Sequence, residues 1–131
     1  MGSVTTWYVF HEFLDGVSTF MPSSGDSWLE GVQAGGSASE ETAKRLAEGV
    51  LESGYGAKDF QIYAATGTED IAYPMLNPQI NAMKELSDVF VFSEEKGQGN
   101  LYYNLAEGRS HDWKSAADYF YDGLLFLYGM E

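Results

Sequence analysis

Three observations predict an α/β fold with a parallel sheet covered by helices on both faces. Strand-like apolar runs alternate with amphipathic helical stretches along the chain, the pattern of a crossover-connected sheet. The run Phe60-Gln61-Ile62-Tyr63-Ala64-Ala65 is almost continuously apolar, as a strand buried on both faces must be. It stops at Gly67, and Glu69 and Asp70 follow at once. A later run, Leu101 to Ala106, ends in Glu107-Gly108-Arg109-Ser110-His111. Open parallel sheets put their chemistry outside the carboxyl ends of the strands, so an acid and a histidine at two such ends are candidates for one site.

The chain has 131 residues, enough for one domain with a real core. Apolar residues make up 44% and aromatics 15%, which is the composition of a globular chain. Net charge is −13, which argues against nucleic acid and against an anionic membrane surface, since both reward positive charge. There is no cysteine, so disulfides, zinc-thiolate sites and thiol nucleophiles are excluded. No apolar run approaches the roughly 18 residues of a membrane span. No signal peptide is visible in these residues, since Met1-Gly2-Ser3 leads straight into a folded-looking segment.

Taken in order, residues 3–14 predict a helix, with positions 4, 7, 8, 11 and 14 at helical spacing, and Gly16 ends it. Val17 to Pro22 predicts a short strand leading into the polar loop Ser23-Ser24-Gly25-Asp26-Ser27-Trp28. Residues 29–38 are Gly-rich and irregular. Ser37-Ala38-Ser39-Glu40 has the spacing of a capping box. Ala43, Leu46, Ala47, Val50 and Leu51 give the following helix, 39–53, one apolar stripe, and Gly54 and Gly56 terminate it. A strand at 59–66 follows. Asn77 before Pro78 reads as an N-cap with proline at the first helical position, and Ile80, Met83 and Leu86 form that helix's buried face. Val89 to Phe92 is an edge strand or a packed loop, and 94–100 is a polar turn. The strand 101–106 leads through the histidine loop to a last helix, 115–128, that buries Ala117, Phe120, Tyr121, Leu124 and Leu125. The opening helix has no strand to feed it, so the chain reads as the second half of a doubly wound domain.

An acid and then a histidine, each just after a strand, match the last two members of the order Ser…Asp/Glu…His. Four segments carry a closer resemblance. They are Met1-Gly2 with Thr5-Thr6-Trp7-Tyr8-Val9, Phe20 to Trp28, Ala64 to Gln79, and Gly108 to Trp113. In these the chain resembles the C-terminal half of the feruloyl esterases of carbohydrate esterase family one, the esterase D-like branch of the α/β-hydrolases. The resemblance implies an α/β-hydrolase fold lacking its N-terminal strands, with residues 1–131 forming a partial esterase domain truncated at the nucleophile elbow. By it, Met1 follows the nucleophilic serine and Gly2 is the last glycine of a Gly-x-Ser-x-Gly elbow. The serine itself then precedes residue 1. Ser3 is no substitute, since it lies inside the helix after the elbow. The competing reading is that Met1-Gly2-Ser3 is an ordinary start or an expression scar.

The resemblance implies that His111 is the general base and later acid, and that Asp70 orients it; Glu69 is the adjacent competitor for the acid. Met1 implies an oxyanion-hole amide in an intact chain. Trp28 either packs or borders the acyl pocket, where a flat ring suits a phenolic acyl group. Asp26 beside it shapes the loop rather than reacts, or touches substrate. Tyr73 either lines the mouth or packs its loop. Trp113 either borders the cleft or packs the last helix. His11-Glu12 is not a metalloprotease motif, because His would be needed at position 15 and Asp15 stands there. Neither metal nor organic cofactor is implied.

The expectation is a fragment of a serine esterase acting on hydroxycinnamoyl esters of plant cell-wall xylan. It is inactive by itself and extracellular by resemblance alone. Its partners would be feruloylated or acylated polysaccharide and either the missing N-terminal half or a second copy at the open sheet edge. Fold does not decide substrate, so an acetyl or short-acyl esterase or a thioesterase stands as the alternative. A carbohydrate-binding module using Trp28 and Trp113 as sugar platforms is the rival from another class.

Overall fold

A computed structural model describes residues 2–29 and 37–129. Most of the segment expected to be irregular, 30–36, and Met1 lie outside the described residues. The elements are α1 (Gly2–Glu12), β1 (Thr19–Phe20), α2 (Ser39–Glu52), β2 (Gln61–Gly67), α3 (Tyr73–Glu85), β3 (Leu101–Ala106) and α4 (Trp113–Tyr128). The three strands form a parallel sheet in the order β1-β2-β3. This is a parallel α/β architecture, as the sequence predicts.

Strand alternation sends side chains to opposite faces, and two cores result. Ile62 and Ala64 of β2 join Trp7 and Phe10 of α1, Leu46 and Val50 of α2, and Ile80 and Met83 of α3. Tyr63 and Ala65 face the other way and meet Tyr102 of β3 with Tyr119 and Leu127 of α4. Helices therefore cover both faces. In the larger core Phe10 packs edge-on against Phe20 and Phe60, with ring centroids 5.1 and 5.0 Å apart. No helix is long and apolar enough to cross a membrane among the described residues.

Several local expectations are corrected. The inward face of α1 is Ser3, Trp7 and Phe10, continued by Leu14, while Tyr8 is exposed. The strand expected over 17–22 shrinks to Thr19–Phe20, followed by an isolated bridge from Ser23 to Ala65. In α2 the N-cap position falls at Ala38, one residue after Ser37, and Ala38 itself has no side chain with which to cap. Leu51 is exposed, and Thr42 joins the buried stripe instead. Gly54, at φ +83°, closes the helix in the left-handed conformation that glycine adopts freely.

Helix α3 begins a turn before Asn77. The Asp70 side chain accepts from the Ala72 amide (2.8 Å) and its carbonyl accepts from the Tyr73 amide (3.1 Å), which nucleates the first turn early. Pro74 then occupies the first turn, where a missing N–H costs nothing, and Pro78 falls inside the helix. Asn77 does not cap; its Oδ1 accepts from the Tyr103 hydroxyl at 3.1 Å. Ile80 and Met83 are buried as expected, with Leu86 partly so. Val89 to Phe92 is a packed loop with one bridge, Phe92 to Leu101.

The largest correction concerns α4. It starts at Trp113, with Asp112 as N-cap accepting from the Ser115 amide at 2.7 Å. Its buried face is Ser115, Tyr119, Gly123 and Leu127. The residues expected inside, Ala117, Phe120, Tyr121, Leu124 and Leu125, are all exposed. Gly123 explains the choice of face: it lets α4 lie directly on the Tyr63 ring and the Met21 sulfur, where a side chain would collide. Leu127→Ala should therefore cost about 2–5 kcal/mol of stability, while Leu125→Ala two positions away stays within about 0.5 kcal/mol. Urea denaturation of both variants checks the assignment, and equal losses would overturn it.

Candidate active site

The loops after β2 and β3 are laced together. The Thr68 amide donates to the Ala106 carbonyl and the Glu69 amide to the Arg109 carbonyl, both at 3.0 Å. The Gly108 amide donates to Thr68 Oγ1 at 2.8 Å. Gly67 makes this closeness workable, because a Cβ there would overlap the Arg109 carbonyl. Arg109 also anchors its loop to α4: Nε donates to Ser115 Oγ at 3.0 Å and Nη2 to Asp118 Oδ2 at 2.6 Å.

This lacing brings Asp70 and His111 together. His111 Nδ1 lies 2.9 Å from Asp70 Oδ1. The Asp70 side chain is fully buried, whereas that of His111 is 52% exposed. Glu69, the competing acid, points to solvent. Burial pushes the Asp70 carboxyl pKa up. The neighbouring Ser24 hydroxyl, the Ala72 amide and His111, together with the charge of His111, favour the ionised form, outweigh burial and hold the group below the ordinary carboxylate range. An ionised carboxylate only accepts, so Nδ1 carries the proton of this bond, and in the neutral ring the lone pair is then on Nε2. That is the tautomer a general base needs to take a proton from a hydroxyl.

His111 lines an open cleft of about 690 Å³ with Gly2, Ser3 and Thr6 of α1, Ser23 and Ser24 of the loop after β1, and Trp113. The N-terminus of α1 thus opens into the same space as the histidine. Ser3 Oγ donates to the Gly25 carbonyl at 2.7 Å, so that hydroxyl is committed to the fold. Trp113 is 92% exposed at the cleft rim. Trp28 and Asp26 are elsewhere: the Trp28 indole N–H donates to Asp26 Oδ1 at 3.3 Å, and neither lines the cleft. Tyr73 is half-buried at the start of α3 and does not line it either. Met1 falls outside the described residues. His11 is a helix residue bonded to Glu12 at 2.8 Å. Among the described residues, His, Asp and Glu side chains nowhere gather in threes as a metal site would require.

Two contributors escaped sequence reasoning. Gly67 was visible only as the end of a strand, not as the point where two loops touch. Ser24 holds φ at +56°, and the Ala65 carbonyl accepts from its amide at 2.7 Å. Serine carries no composition signal for that conformation, although the following Gly25 hints at a tight turn.

No protein-family model matches the chain. Endo-1,4-beta-xylanase Y of Acetivibrio thermocellus is 39% identical over 128 residues, which is 98% of this chain and 11% of that protein. A solved structure of a protein designated FAE is 39% identical and superimposes with a TM-score of 0.86 over 97% of this chain and 42% of its own. A mutant of the feruloyl esterase module from Clostridium thermocellum, complexed with sinapinate, is 40% identical with a TM-score of 0.85. That match covers 99% of this chain and 44% of the module. The chain therefore spans less than half the length of the proteins it matches. Over nearly its whole length the chain resembles feruloyl esterase modules, and its fold is a partial α/β-hydrolase fold of their type.

Proposed function

We propose that the chain carries the acid and base of a serine carboxylic-ester hydrolase acting on hydroxycinnamoyl esters of plant cell-wall polysaccharide. One observation carries this reading. A buried aspartate holds the Nδ1 side of a half-exposed histidine, in a cleft that also receives the N-terminus of a helix. A serine at the turn entering α1 would lie in that cleft. Such a residue comes from sequence preceding Met1, which makes residues 1–131 the acid–base part of a larger domain. The polymer specificity rests on the names of the relatives, a xylanase and a feruloyl esterase module bound to sinapinate.

The chemistry is acyl transfer. His111 Nε2 takes the serine proton as the hydroxyl attacks the ester carbonyl, and Asp70 stabilises the imidazolium that forms. His111 then returns the proton to the leaving sugar oxygen, and the same nitrogen activates water to resolve the acyl-enzyme. By the resemblance the Met1 amide would serve as an oxyanion donor in an intact chain, helped by the positive end of the helix that follows it. Trp113 offers a flat apolar platform at the rim for a phenolic acyl group. Trp28, Asp26 and Tyr73 lie outside the cleft lining and would reach substrate only at a distal subsite. The rest of the domain would pair with the open edge of β1 and cover the exposed apolar stripe of α4. Action on cell-wall polymer places the whole protein outside the cell.

Joined to an upstream segment that ends in Gly-x-Ser, the chain should hydrolyse methyl ferulate. His111→Ala and Asp70→Asn should each lower kcat, the latter on the order of 10⁴-fold, while Glu69→Gln stays within about threefold. Turnover by the 131-residue chain alone, lost in His111→Ala, would place the nucleophile within it and overturn this arrangement.

The same pair sets a pH dependence of stability. The folded pKa of Asp70 is depressed, so its contribution is present above the unfolded carboxylate pKa of about 3.9 and is lost as pH falls through the folded value. Asp70→Asn should thus destabilise most near neutral pH, and the gap to the parent should close below about pH 4. Urea denaturation across pH checks the sign; a gap that widened in acid would contradict it.

A further inference from the structure

His111 sits near the end of a short loop, 107–112, between β3 and α4. The strand register decides where this loop starts, but not which way the histidine ring turns. Surrounding atoms do little to aim the ring, because its side chain is 52% exposed. Its direction has to come from the backbone that carries it.

That backbone is held on both sides of the histidine by one serine. Ser115, in the first turn of α4, is buried. Its amide donates to Asp112 Oδ1 at 2.7 Å, one residue after His111. Its hydroxyl oxygen accepts from Arg109 Nε at 3.0 Å, two residues before His111. The loop is thus closed into a ring through Ser115, and Ser110 and His111 span the part between the two ties. Arg109 is held at a second point, where Nη2 donates to Asp118 Oδ2 at 2.6 Å. Ser115 and Asp118 are three residues apart and so share one face of α4. A guanidinium, whose donors diverge from a rigid plane, meets both at once; a lysine ammonium is a single point charge. The main chain of Arg109 ties in the other direction. Its carbonyl accepts from the amide of Glu69, the residue before Asp70, at 3.0 Å. One residue therefore holds the acid loop through its carbonyl and α4 through its side chain.

We propose that Arg109 is a positioning residue: its two side-chain bonds to α4 fix the loop that carries His111 and so aim the ring at Asp70. The inference rests on the reading of Asp70 and His111 as acid and base, and it deepens that reading by adding a residue that supports the pair from outside the cleft lining. The Arg109–Asp118 pair is part-exposed on both sides and screened by solvent, so its effect lies in direction more than in stability. Lys114 supplies the contrast. Its Nζ also reaches Asp118 Oδ2, at 3.2 Å, but it is 83% exposed and makes an ordinary pair along one helix that touches nothing in the histidine loop.

The test is NMR of the His111 ring in the chain as it stands, for the parent, Arg109→Ala, Asp118→Ala, the double variant and Lys114→Ala. Exchange of the downfield Nδ1 proton with solvent and the ring 15N shifts are read in each. The measurement needs no ester turnover, so its outcome is separate from that of the esterase assay. Arg109→Ala and Asp118→Ala should each speed the exchange about three- to tenfold, and Arg109→Ala should let the neutral ring populate the Nε2–H tautomer. The double variant should exchange no faster than Arg109→Ala, because Asp118 acts on the histidine through the arginine. Lys114→Ala should leave the ring signals as in the parent. The amides of Ile62 and Ala64 in β2 report on the fold as a whole and should keep their parental rates. Parental exchange at His111 in either single variant overturns the proposal. So does a double variant in which the two effects add in full, a change at the ring in Lys114→Ala, or an equal rise at Ile62 and Ala64, which would make Arg109 a stabiliser of the fold alone.

Discussion

Everything at the candidate site depends on two parallel strands ending together. The register pairs Gly67 with Ala106, so the loops leave the sheet side by side. In a parallel pair the side-chain period is two, and a slip of one residue would send each side chain to the opposite face. The register is fixed by burial on both faces: Ile62 and Ala64 belong to one core, Tyr63 and Ala65 to the other. A slip of β2 would drive the Tyr63 ring into space shaped for alanine and isoleucine. The positions of Asp70 and His111 are thus set by packing several residues back in the strands, and the bond between them confirms a geometry already imposed.

The electrostatic design follows from unequal exposure. A buried carboxylate left unpaired costs several kcal/mol, while the same group with an amide and an imidazole donor stays ionised. Asp70 has both donors and lies in the dry part of the site. His111 is half in solvent, so it can change charge during a reaction while its partner does not.

What was legible in the sequence followed from strong local signals. The continuous apolar run of β2, the stripe of α2 and the two strand-terminal loops each have a pattern with few alternatives. The start of α3 was not legible because the acceptor that sets it is a side chain, Asp70, which takes the Ala72 amide two residues ahead; the Asn77-Pro78 signal looked sufficient. The face of α4 was misread for a different reason. Apolar residues occur on both sides of that helix, so periodicity alone cannot choose, and Gly123 decides by allowing the closest approach to Tyr63. A glycine in a helical stretch reads as a weakness in sequence and as a contact point in structure. Ser24 was illegible because its conformation is dictated by a tertiary bond, its amide donating to the Ala65 carbonyl.

The misread face bears on what the chain associates with. Phe120, Tyr121, Leu124, Leu125 and Tyr128 form an exposed apolar stripe on α4. The sheet on which α4 lies ends at β1, a two-residue strand with no outer partner among the described residues. Both features are relieved together by further strands added beyond β1 with a helix beside α4. That solution needs no second copy. A homodimer would relieve the same stripe, but it would bring two charges of −13 into contact. At physiological salt the Debye length is about 8 Å, so charges at such an interface are only partly screened and oppose the pairing. On the function proposed above, the charge balance would oppose self-association most strongly at low ionic strength.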